Sequence, residues 1–206
     1  MSTTKKDAKI QAEKIIRRIL KDEKYLSELL KGIIAKEDSV RYPNALALEN
    51  LSINNPKMIY PQWEVFTELL KSKNAYHRSI AISTISNLSI IDDQNKFEKI
   101  FEEFFKLIDD NSVIVIRKLA IYAGRIAKAK PLLRSKITNI LLDIDNTQHI
   151  SSHKDLIKGD IIESFSEYFK DMENKNEIIK FVKNQLKSSS PSTVKKAKNF
   201  LSKWEN

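Results

Sequence analysis

The sequence has no cysteine, only three glycines and five prolines in 206 residues, and no apolar run approaching 18 residues. Without cysteine there is no disulfide, no thiolate metal site and no cysteine nucleophile. So few glycines and prolines speak against a sheet-rich fold with many tight turns. The missing apolar run excludes a helical membrane span, and the polar start from Met1 to Lys6 is unlike a signal peptide, so the expectation is a cytoplasmic protein with no membrane partner. Arginine, the residue best suited to bidentate phosphate contacts, occurs seven times: Arg17, Arg18, Arg41, Arg78, Arg117, Arg125 and Arg134.

What is present is a core and a charged exterior, with 41% hydrophobic and 31% charged residues. The net charge of +9 is carried mainly by lysines mixed with acids along the chain. That mixture reads as a solvated surface in preference to a dedicated nucleic-acid surface. The most informative stretch runs from Asn111 to Pro131. Its residues Val113, Ile116, Ala120, Ala123, Gly124 and Ala127 recur at helical spacing, and Leu119 and Ile126 widen the apolar surface to a flank. A helix apolar on more than one side is packed on more than one side, and its small residues let a neighbouring backbone come close.

The rest of the chain repeats this plan. A helix over 3–21 carries Ile10, Ala12, Ile15, Ile16 and Ile19 and is expected to cap one end. Helical hairpins follow at about 22–53, 61–90, 94–129, 131–170 and 174–205, within one domain spanning 1–206. Pro43 and Pro61 are read as first-turn prolines that open helices. Two registers mark the repeat: Arg41 and Arg78 lie 37 positions apart, as do Asn50-Leu51-Ser52 and Asn87-Leu88-Ser89, and Arg117 follows Arg78 by 39. Self-similarity at such a period predicts an all-α solenoid, a right-handed α-α superhelix of about five hairpins.

The turn-plus-second-helix segments resemble HEAT repeats. Asp110, the pair Ile116-Arg117 and Ala120 match that pattern best; Arg78 with Ala81 and Val40-Arg41 match parts of it, and the hairpin containing Lys158-Gly159-Asp160-Ile161 departs most. The resemblance implies that Arg41, Arg78, Asp110 and Arg117 form a structural ladder, with Asp109 or Asp110 receiving Arg117. It also implies that second helices line a concave wall. On that wall would stand Lys118, Tyr122 and Arg125, preceded one repeat earlier by Ser79, Ser83 and Ser86, before that by Tyr42, Leu46 and Glu49, and followed by Gly159, Glu163 and Ser166. Such a mixture suits a protein or peptide better than a uniform phosphate track does, and tyrosine beside arginine is a common hot-spot composition.

Chemistry finds little purchase. His149 and His153 have the spacing of a zinc pair, but no glutamate follows the first and the segment reads as a polar loop; no metal and no cofactor are expected. His77 stands at a helix start, where bonding a turn suffices. The reading is a non-catalytic scaffold that binds a protein or peptide. The second reading is nucleic acid in a basic groove, as in HEAT-like alkylpurine DNA glycosylases, though the aspartate flanked by tryptophans that their activity requires has no counterpart on the stripe. Diiron HEAT-like hydroxylases need paired His-Glu dipeptides, and the chain has none.

Overall fold

The computed structural model describes residues 5–147, 153–173 and 175–204, and all regular structure among them is helical. Contacts divide the chain into two compact units, Met1–Ile91 and Asp92–Asn206.

In the first unit, α1 (Lys5–Lys21) buries Ala8, Ala12 and Ile19 and leaves its lysines in water. Its small residues let it lie close against α3 (Asp38–Asn54), which also packs on α2 (Leu26–Gly32). Helix α3 begins five residues before Pro43, so this proline sits inside the helix and does not open it. The lost backbone bond would have reached the carbonyl of Ser39, an exposed residue, so water can serve that group instead. A single turn, α4 (Pro56–Ile59), leads to α5 (Trp63–Leu70), whose Trp63, Phe66 and Leu70 are buried against α6 (Ala75–Leu88). Asn74 caps α6 by accepting from the Tyr76 N–H at 2.9 Å. From Arg78 to Leu88 every residue of α6 except Ile80 is buried.

In the second unit, α7 (Lys96–Lys106) presents Phe97, Phe101, Phe104 and Phe105 to the core, with Phe97 and Phe104 edge to face at 5.2 Å. The Asp92 carboxylate caps this helix, accepting from the N–H groups of Lys96 and Phe97 at 3.0 and 2.9 Å. Lys130, just beyond α8 (Val113–Ala129), reaches back to Asp92 at 2.9 Å and Glu98 at 3.1 Å. That buried ammonium therefore holds the start of α7 to the end of α8.

Helices α8, α10 (Lys154–Tyr168) and α12 (Pro191–Trp204) pack side by side, α8 on α10 and α10 on α12. The intervening α9 (Arg134–Leu142) lies against α8, and α11 (Asn176–Asn184) against α12. Each of the two α8–α10–α12 crossings rests on a glycine. A Cβ on Gly124 would stand 2.4 Å from the Ser164 carbonyl oxygen, and one on Gly159 2.5 Å from Thr193 Oγ1. Of the face the periodicity predicts on α8, Ile116, Ala120, Ala123, Gly124 and Ala127 are buried and Val113, at the first turn, is half-buried. Trp204 closes the last helix against Phe169 and Phe200, at ring distances of 5.4 and 6.5 Å. No helix among the described residues is long and apolar enough to cross a membrane.

Candidate functional site

The side chains with the most to offer a partner lie on the α8–α10–α12 layer of the second unit. Helical spacing brings Lys118, Tyr122 and Arg125 to one stripe of α8. Tyr122 is 7% exposed, and two cations lie over its ring, Lys118 Nζ at 4.9 Å and the Arg125 guanidinium carbon at 4.6 Å from the centroid. The cations therefore present the charge while the tyrosine supports them from beneath. Arg125 approaches Glu167 of α10 at 4.0 Å. Burial raises the Glu167 carboxyl above its ordinary range, opposed by the positive charges of Arg125 and Lys128.

Two turns before Arg125, Arg117 donates through Nε and Nη2 to the two oxygens of Asp160 at 2.7 and 3.3 Å. Asp160 is 1% exposed and also accepts from Lys196 of α12 at 3.0 Å. The bond to Asp160 raises the Arg117 pKa above its already high value. Lys196 reaches Glu163 as well, at 3.1 Å. Charge therefore alternates across the layer, basic on α8, acidic on α10 and basic on α12, with each sign facing the other across a helix–helix seam.

The sequence expectations are distributed unevenly over this geometry. Lys118, Tyr122, Arg125 and Glu163 share the α8–α10 face, with Glu163 exposed and Lys118 and Arg125 half-buried. Ser79, Ser83 and Ser86 belong to the first unit and are all buried; Ser83 bonds back to the carbonyls of Ser79 and Ile80 at 3.3 and 3.1 Å. Arg41 donates to the carbonyls of Ala35 and Lys36 and to Asp38, and Arg78 to the Ser72 carbonyl at 2.7 Å. The Asp110 carboxylate accepts from the Ser112 N–H at 2.8 Å and so caps the turn before α8. The carboxylate that takes the Nε and Nη2 protons of Arg117 is Asp160, 43 positions on, where the sequence reading looked to Asp109 or Asp110. The signal was in the chain: Asp160 stands two positions after Lys158, where the basic position recurs, in the hairpin that departs most from the repeat.

His153 is exposed immediately before α10, and His149 lies outside the described residues. Among the described residues no group of three His, Asp or Glu side chains is placed to hold a metal ion. His77 sits with Nδ1 3.1 Å from the Ser72 hydroxyl, and burial, aided by the charge of Arg41, lowers its pKa.

No family model matches the chain, and no curated protein matches it. Among solved structures, the crystal structure of an engineered protein, determined as a structural-genomics target, is similar in fold. It has a TM-score of 0.53 and 16% identity, over 96% of this chain and 88% of that one. At that identity the likeness concerns the helical fold alone.

Proposed function

We propose that the chain is a non-catalytic interaction module, built from HEAT-like hairpins stacked as an α-solenoid, that binds a partner protein or peptide through the α8–α10 face of its second unit. The supporting observation is the alternation of charge there. Lys118 and Arg125 stand over Tyr122 on α8, Glu163 and Glu167 stand opposite on α10, and Lys196 follows on α12. Alternating signs beside a supported aromatic complement a protein surface, on which both signs also occur, and fix its register. A nucleic-acid backbone offers one sign only. On this face Arg125 and Lys196 already approach carboxylates, so the basic-groove reading loses its support at these positions.

The test compares the wild-type chain with a Lys118→Glu/Arg125→Glu variant whose thermal unfolding midpoint is unchanged. Both are cross-linked in extracts of the source cells, and the cross-linked positions are mapped on both partners. The expected outcome is a reproducible protein partner joined next to α8 or α10 and lost in the variant. Cross-links that ignore the substitution, or that map away from both helices, would remove the reading.

A further inference from the structure

The positive charge of the second unit is not spread through it. Residues 92–173 carry thirteen Lys or Arg against fifteen Asp or Glu, whereas residues 175–204 carry eight lysines against one acid, Glu177. The excess therefore sits on the last hairpin, α11 with α12. On α12 the exposed residues are Pro191, Ser192, Lys195, Lys198, Asn199, Ser202 and Lys203. They fall on one arc of the helix, opposite the buried Thr193, Ala197 and Phe200. Lys180, Lys183 and Lys187 are exposed on α11 and the turn that follows it, where Leu186 is also 40% exposed, off the arc of α12.

We infer that the exposed arc of α12 is a docking surface for the phosphate backbone of duplex nucleic acid, read without regard to sequence. Three features select this occupant. First, Lys195 to Lys203 span about 12 Å of helix axis, and the same length of duplex carries about seven phosphates. Second, the residues between the lysines are Ser192, Asn199 and Ser202, small polar groups of the kind that donate to phosphate oxygens and sugars. Third, the exposed residues of the arc include no arginine fork for base edges, no aromatic on which an unpaired base would stack, and no large apolar residue to enter a bilayer or form the dry centre of a protein interface. Trp204, under Lys203 Nζ at 4.5 Å, is half-buried against Phe169 and Phe200. Helix α1, which is also rich in lysine, differs on that last point: it exposes Ile10 and Leu20, and its Arg17 and Arg18 face Glu13 and Glu28.

Lys195, Lys198 and Lys203 take no part in the charge alternation of α8, α10 and Lys196, so either proposal stands or falls without the other. Fluorescence anisotropy of a labelled 20-base-pair duplex of arbitrary sequence, titrated with the full chain between 50 and 200 mM salt, reads it directly. Lys195→Gln/Lys198→Gln/Lys203→Gln is expected to weaken binding at least tenfold at 50 mM salt. It should also flatten the plot of log affinity against log salt by about 2 to 3, close to 0.9 for each phosphate no longer neutralised. The triple exchange of Lys9, Lys14 and Lys21 on α1 should leave both nearly unchanged. All six positions are exposed, and helical circular dichroism checks that both variants fold. Absence of duplex binding at 50 mM salt, equal loss in the two variants, or capture by phosphatidylserine vesicles in place of duplex would overturn the inference.

Discussion

The two units solve one problem with one residue in two ways. At the repeating basic position the first unit folds its arginines back on their own turns, Arg41 to the carbonyls of Ala35 and Lys36 and Arg78 to that of Ser72. In the second unit the same position, Arg117, reaches across a seam to Asp160, which Lys196 meets from the other side. The first arrangement anchors the turns, with Arg41 also lying 4.7 Å over the Tyr76 ring of α6, and the second pairs charges across the two seams between α8, α10 and α12. Glycine usage follows the same division. Gly124 and Gly159 lie at seams between hairpins, whereas a Cβ on Gly32 would meet the side chain of Asn44 first.

The strongest way to break that contrast is Gly124→Ala. The new methyl would press on the Ser164 carbonyl, which is backbone and cannot rotate away, so a loss of about 3 kcal/mol is expected. Gly32→Ala should cost less than about 1 kcal/mol, because an Asn44 side chain can move aside. Urea unfolding of the two variants against wild type measures the difference; equal losses would mean that the seams of the second unit are no tighter than the packing in the first.

Next in size, Arg117→Ala leaves the buried Asp160 with Lys196 alone and should cost about 2 to 3 kcal/mol, against about 1 kcal/mol for Arg78→Ala, which removes a bond to a carbonyl. A double-mutant cycle of Arg117→Ala with Asp160→Ala should return a coupling energy of about 1 to 2 kcal/mol. A coupling near zero would reduce the seam-crossing pair to a surface contact.

The smallest effect separates the units by pH. The lowered pKa of His77 means that the unfolded chain binds the proton more readily than the folded one. Its contribution to the first unit is therefore full above about pH 6.5, the ordinary histidine value, and declines as the pH falls below it. In the second unit Asp155 accepts from the Ser189 N–H and hydroxyl, which lowers its pKa. Its contribution is full above the ordinary carboxylate value, about pH 4, and is lost as the pH falls through the lowered one. Each unit contains one tryptophan, Trp63 in the first and Trp204 in the second, so single-tryptophan variants report them separately. Between pH 7.5 and 5.5 the Trp63 signal should lose unfolding midpoint while the Trp204 signal should not fall, since the raised Glu167 carboxyl takes up its proton more readily in the folded chain, and His77→Gln should abolish the loss at Trp63.

Much of the second unit was legible. The spacing of Ala120, Ala123, Gly124 and Ala127 announced a helix packed on more than one side, and those residues are buried. The start of α3 was misplaced because a proline five residues into a helix looks, by pattern alone, like a first-turn proline. Ser79, Ser83 and Ser86 looked like an outward polar stripe, since hydroxyls able to bond back to their own helix bury at little cost. The lysines looked evenly scattered while they were counted along the whole chain. Counted by segment, residues 175–204 already hold eight against one acid, and the structure adds that Lys195, Lys198 and Lys203 share one exposed arc of α12.

Composition and periodicity alone determined that this chain is helical and in which segments, because those properties depend on near neighbours along the backbone. The partner of Arg117, the place of Gly124 against Ser164 and the sharing of Asp160 between α8 and α12 were decided by tertiary structure. They join residues 36 to 43 positions apart, and no local preference specifies which of several carboxylates a packed helix will bring within 3 Å of a cation.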